Sequence, residues 1–272
     1  MKRIRIVGLC LVAVFALSAV VAAAAQAAAP EYLTCNKVAK AEKGKGKWND
    51  KECSKESKGG AKEGEYEAGG SWETLKKKGF KGKNGVSTLD SYIPENEAEP
   101  WTGGTVVGSV TCKNAKSVGE ITGPKLSTVT VVFASCTSEG KKCTSHQVGE
   151  KVGDITTEEL DATLVNVEGK PASLVKGNNG EGKSAEFSCE GLAIKTFGNL
   201  NGLISGNTEG KYKKTSTQTF SVNAKGGQTD PFDEENPGEP MILVSNITPP
   251  GVNLPSGENT TSVLTGEVTS VS

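Results

Sequence analysis

The chain has 272 residues, 35% of them hydrophobic and 23% charged, with 31 basic side chains against 32 acidic ones and a single histidine. One histidine leaves little scope for imidazole acid–base or metal chemistry, and the near balance of charge argues against a dedicated nucleic-acid binder. An aromatic content of 5% also weighs against a deep ligand pocket.

Lys2, Arg3 and Arg5 precede an apolar run from Ile6 to Ala25 that ends in small residues, and Ala25-Gln-Ala27 fits a cleavage site. Residues 1–27 therefore read as a signal peptide, with an uncleaved signal anchor as the competing reading because the run approaches the length of a membrane span. Cys10 follows Val7-Gly-Leu9 and lies too early for lipid attachment. No second long apolar stretch follows, so no membrane span is expected after cleavage.

Residues 28–84 form a Lys- and Gly-rich segment, expected as a small β meander closed by a disulfide. Between Glu31 and Lys83 there are 14 Lys against 9 acids, whereas the rest of the chain is acidic. Acids are interspersed among these lysines, which favours a solvated segment over a polyanion-binding one. Tyr32, Trp48, Tyr66 and Trp72 lie near its two cysteines, and Ser71–Lys78, stopped by Gly79, is a short helical candidate. Residues 85–102, with the acidic run between Pro94 and Pro100, read as a linker.

Residues 103–272 are expected to be an antiparallel β domain. Leu126–Cys136 carries its clearest strand, with Val129, Val131 and Phe133 on one face and Thr128 and Thr130 on the other. Further strands are expected at Thr105–Thr111, Ser117–Thr122, Asp154–Thr157, Leu160–Glu168, Ala172–Lys176 and Ala185–Cys189. Leu192–Phe197, Gly202–Ser205, Tyr212–Val222, Met241–Ser245 and Ser262–Thr269 complete the set. Gly123-Pro124, Glu168-Gly169, Asn178-Asn-Gly180 and Gly226-Gly227 punctuate them as turns. Many short strands with scarcely a helical period argue an all-β fold, an antiparallel β-barrel or β-sandwich.

Val118-Gly-Glu-Ile-Thr122 returns as Val152-Gly-Asp-Ile-Thr156, and Gly266-Glu-Val-Thr269 is a looser third copy. Gly opening a turn, with Ile or Val facing the core and the acid facing water, accounts for this pattern without any ligand.

Behind an export signal, Cys35, Cys53, Cys112, Cys136, Cys143 and Cys189 imply three disulfides, with 15 pairings open to sequence. Proximity favours Cys35 with Cys53 and Cys136 with Cys143, leaving Cys112 with Cys189. No C-x-x-C pair supports zinc, and the acidic loop Asp230–Pro240 lacks EF-hand spacing for calcium. His146 reads as a polar residue on a tight loop beside Cys143, and Asn246 and Asn259 head formal glycosylation sequons.

No nucleophile elbow, Walker loop, dinucleotide fingerprint or H-E-x-x-H occurs, and no catalytic, cofactor or metal residue emerges. A carboxylate-dependent glycan-active enzyme would have to use strand acids such as Glu120, Asp154 and Glu186.

Tyr32-Leu-Thr-Cys35-Asn-Lys37, Gly46–Cys53, Val118–Pro124, the strand Val129–Cys136 and Gly140–Cys143 together resemble uncharacterised secreted β-rich proteins that soil actinobacteria carry in many copies. The resemblance implies export and disulfides and brings no activity or binding residue. The functional expectation is an exported, non-enzymatic structural or binding protein at or outside the cell envelope, without a cofactor. Its ligand is open; a glycan-active enzyme, or a polyanion binder through the Lys-rich segment, is the alternative.

Overall fold

The computed structural model describes residues 30–33, 35–39, 44–51, 53, 55–58, 64–69, 79–146, 151–206, 215–235, 238–266 and 270–271. The expected signal peptide, the helical candidate Ser71–Lys78 with Trp72, and the last three residues of the third echo lie outside them.

Three short strands belong to the N-terminal segment: β1 (Tyr32–Leu33), β2 (Cys35–Lys37) and β3 (Tyr66–Ala68). The strands that follow join end to end into eight long antiparallel staves. The first stave is β4 (Gly79–Asn84) with β5 (Ser87–Pro94), and the second is β6 (Gly104–Cys112) with β7 (Asn114–Ile121). The third is β8 (Leu126–Ala134) with β9 (Thr137–Ser138). The fourth is β10 (Lys141–Ser145), β11 (Ile155–Thr156) and β12 (Leu160–Val167). The fifth joins β13 (Lys170–Gly177) to β14 (Lys183–Cys189), and the sixth is the unbroken β15 (Leu192–Ser205). The seventh is β16 (Thr215–Phe220) with β17 (Leu243–Thr248), and the eighth is the unbroken β18 (Val252–Gly266). A last strand, β19 (Ser270–Val271), pairs back on β1.

Each stave pairs with the next in sequence, and β18 pairs with both β4 and β5, so the eighth stave hydrogen-bonds to the first. The sheet is a closed up-and-down barrel, which settles the choice between barrel and sandwich. Closure leaves no free edge for the Thr- and Val-rich strands to offer another chain. Three of the hairpins turn on two residues, Glu139-Gly140, Glu168-Gly169 and Glu190-Gly191, with φ of 50° and 81°, 51° and 72°, and 40° and 95°. Two consecutive positive φ values give the mirror-image turn whose twist suits a hairpin, and glycine takes the second at no steric cost.

Period-2 alternation then sorts the staves into an inner and an outer face. Val129, Val131 and Phe133 face the lumen as the alternation predicts. Outward positions carry Lys81, Lys83, Lys116 and Glu120 together with exposed Val118, Val132 and Val263. In the echoed motifs Ile121 and Ile155 are buried while Glu120 is exposed and Asp154 partly so, and Gly153 lies in a turn as expected, but Gly119 lies within β7 and opens none.

Residues 85–102 are not a linker. Ser87, Leu89 and Ser91 point inward along β5, which lies between β18 and β6, and only 95–103 form a loop. Residue 84 is likewise no boundary, since β4 is half of the first stave. The two prolines bracketing that acidic run mark a turn at one rim rather than a domain junction. The expected strands at Leu192–Phe197 and Gly202–Ser205 are one strand, and the eighth stave begins ten residues before the expected Ser262.

The seventh stave is interrupted between Phe220 and Leu243 by a segment that crosses the outside of the barrel. Gly104 N–H donates to Lys225 O (2.8 Å), and Lys225 pairs with Glu95. Further along, Glu234 N–H donates to Asn166 O (2.8 Å), Gly169 N–H donates to Glu234 Oε1 (2.6 Å), and Trp101 meets Phe232 edge to face. This acidic segment fastens over the stave pair whose outward Val165, Val167 and Ala172 are buried.

Candidate functional site: the barrel cavity

Two independent structures bound the lumen. At one end the disulfides Cys112–Cys136 and Cys143–Cys189 pack with Val110, Ile155, Phe187 and Ile194 into an apolar floor. The expected pairing of Cys136 with Cys143 and Cys112 with Cys189 is therefore incorrect. Strand register, not distance along the chain, decides it: Cys143 lies directly opposite Cys189 on β14, with Cα atoms 4.1 Å apart. Cys35–Cys53 forms as expected.

At the other end the N-terminal segment docks on the barrel. Its small core of Trp48, Cys53, Leu33 and Tyr66 holds the chain just before β2, and Tyr32 enters the lumen against Leu164 and Ile204. The Tyr32 hydroxyl lies 2.9 Å from Ser127 Oγ, and its backbone N–H donates to Pro124 O (2.8 Å). Burial pushes the Tyr32 phenol upward, against the opposing effect of the Ser127 hydrogen bond.

Between floor and roof lies a cavity of about 190 Å³. It exceeds the roughly 150 Å³ of an engineered apolar cavity that takes up benzene. The low aromatic content therefore did not preclude a pocket: branched aliphatic side chains on closed staves enclose the space, with Tyr32, Phe80, Phe133, Phe187 and Phe220 as the aromatic contributors.

The wall is not uniform. Staves three to six present Val129, Val131, Ile155, Leu160, Val175 and Leu200, with Ser127, Thr157, Ser173, Ser184 and Thr196 among them. The eighth stave and its neighbours present a polar stripe. Ser256 Oγ is 2.9 Å from Ser91 Oγ and donates to Ser245 Oγ (2.8 Å), while Thr260 Oγ1 lies 2.6 Å from Ser87 Oγ and accepts from Asn84 Nδ2 (3.2 Å). Asn84 Oδ1 is buried with no hydrogen-bond partner.

Glu258 lies on this stripe, between Ser256 and Thr260. Its register partner on β5 is Leu89, and on the other side it faces the break in the seventh stave between Phe220 and Leu243. Its backbone N–H donates to Gln228 Oε1 (3.3 Å), which ties the crossing segment to the wall at this point. The carboxylate itself has no hydrogen-bond or ion-pair partner among the described residues. What surface it retains opens into the cavity, and burial pushes its pKa from 4.5 up to about 7. Sequence reasoning passed over Glu258 because nothing in Ser256-Gly-Glu-Asn-Thr260 distinguishes it from the other acids until closure decides which face is the lumen.

Glu120, Asp154 and Glu186 do not converge. Glu120 is exposed on β7, Asp154 Oδ1 accepts from Ser135 N–H, and Glu186 pairs outside the barrel with Lys183 (2.8 Å) and Lys195 (3.3 Å). The hydrogen bond from Lys183 holds the Glu186 carboxyl below its ordinary range. His146 is exposed at the end of β10. Among the described residues no group of His, Cys, Asp and Glu could hold a metal ion, and no helix is long and apolar enough to cross a membrane.

An eight-stranded closed barrel with a dry-walled interior is wide enough to hold one small molecule. No family model, curated protein or solved structure matches this chain.

Proposed function

We propose that this protein is an exported, non-enzymatic binding protein that holds one small, largely apolar molecule inside its barrel, at or outside the cell envelope. The barrel cavity carries the reading: a packed core would have filled this space, and its largely apolar wall offers a site that water occupies poorly. The basic start of the chain, its apolar run and three disulfides support export. A single lumenal carboxylate supports binding over glycoside hydrolysis, which needs two acids flanking the bond.

The test is titration of the purified protein with 2-phenylethanol, a neutral probe of suitable size, followed by calorimetry and thermal unfolding. Saturable uptake of one molecule per chain is expected, with a raised midpoint of unfolding. Ala162→Phe, which directs a ring into the cavity, should abolish uptake while preserving the β circular-dichroism spectrum. If 2-phenylethanol does not bind the native protein, or binds this variant unchanged, the barrel is not the site.

A further inference from the structure

The cavity is built to discriminate by charge as well as by fit. Its wall is mostly apolar with hydroxyls interspersed; those of Ser87 and Thr260 already bond one another, as do those of Ser91, Ser245 and Ser256 farther along the same staves. Asn84 Oδ1 is left without a partner on this wall, and the one charged group on it is the Glu258 carboxylate, which faces the cavity without a partner among the described residues. An ionised carboxylate only accepts hydrogen bonds, and it is costly in apolar surroundings unless a positive charge joins it.

We infer that the ligand is an amine: a small apolar molecule whose ammonium group rests on the Glu258 carboxylate while its body lies against Val129, Val131, Leu160 and Leu200. This rests on the barrel reading above and names the chemical class it takes. A metal ion is a poor alternative, since one carboxylate supplies far fewer oxygens than a hard cation requires. A ligand hydroxyl gives Glu258 a donor but leaves its charge uncompensated. A carboxylic acid would place two like charges in one low-dielectric space.

The arrangement also makes uptake depend on pH. Tyr32 is the other titratable group on the cavity wall; β5 contributes Ser87, Thr88 and Leu89 beside Glu258, the seventh stave contributes Ser216, Gln218, Phe220 and Leu243, and the crossing segment contributes Gln228, none of which titrates. Burial raises Glu258 to about 7, so amine uptake should weaken as acid neutralises the carboxylate.

The experiment compares 2-phenylethylamine, 2-phenylethanol and 3-phenylpropionate by calorimetry on the full protein and on Glu258→Gln. At pH 8 the amine should bind the native protein at least about tenfold more tightly than the alcohol, and the acid most weakly. Glu258→Gln should abolish the amine's advantage, so that amine and alcohol bind this variant about equally. Between pH 8 and pH 5 the amine's advantage over the alcohol should shrink until the two bind about equally. Equal binding of amine and alcohol, or an amine preference that survives in Glu258→Gln, overturns the inference while leaving the barrel reading intact. Failure of all three probes overturns both.

Discussion

The Tyr32 hydroxyl lies 2.9 Å from Ser127 Oγ, joining residues ninety-five positions apart and fastening the N-terminal segment into the mouth of the barrel. Tyr32, just ahead of the disulfide-closed meander, is thus part of the cavity wall.

Removing this contact should open the mouth in proportion to what is removed. Tyr32→Phe keeps the ring and loses one buried hydrogen bond, about 1 kcal/mol in urea unfolding. Tyr32→Ala also removes the ring from Leu164 and Ile204, with an expected cost of about 3–5 kcal/mol and faster release of a bound probe in stopped flow. Unchanged stability and release in Tyr32→Ala would show that the segment does not dock in solution.

The titration of Glu258 should set part of the pH dependence of stability. Its folded pKa of about 7 lies above the ordinary 4.5, so between these values the folded form holds a proton that the unfolded chain has lost. Stability from this group is complete below 4.5, falls as pH rises through 7, and then levels off. The loss is about 3 kcal/mol at roughly 1.4 kcal/mol per unit. Glu258→Gln should therefore be the more stable protein at pH 8 and lack this slope in urea midpoints taken from pH 4.5 to 8. A variant that keeps the native slope would place its origin elsewhere.

Non-reducing digestion and mass spectrometry should yield Cys112 linked to Cys136 and Cys143 linked to Cys189. Replacing Cys143 and Cys189 together by Ala opens a loop with a sequence separation of 46. On the loop-closure account this costs about 4 kcal/mol, before any loss of packing at the floor. A Cys112–Cys189 peptide would refute the register of β10 on β14. The same spectra test export, for which the expected mature mass begins near Ala28.

Gly202 faces the lumen beneath Phe220, and a Cβ built there would meet the ring at 2.7 Å. Gly202→Val should push Phe220 into the cavity, costing about 1–3 kcal/mol and weakening probe uptake. Gly108→Ala has open space around it and serves as the control. Equal behaviour of the two variants in both assays would contradict this packing.

The β class of the fold was legible residue by residue. Alternation placed Val129, Val131 and Phe133 on one face, and Glu168-Gly169 marked a hairpin, because both signals depend on neighbours in sequence. β4 and β5 were not legible as staves. Gly79–Asn84 carries one large apolar residue in six, and its partners in the sheet are β7 and the distant β18.

By itself the sequence determined strand content, turn positions, the disulfide-forming set of cysteines and the expectation of export. These follow from local patterning, short-range turn chemistry and composition. Tertiary structure alone decided barrel over sandwich, the partner of each cysteine from 112 to 189, and the meeting of Tyr32 with Ser127. It also decided which acid faces inward. Register and closure link residues far apart in the chain, and only when β18 pairs with β4 and β5 does an ordinary Glu258 become a half-buried carboxylate on the cavity wall, unpaired among the described residues.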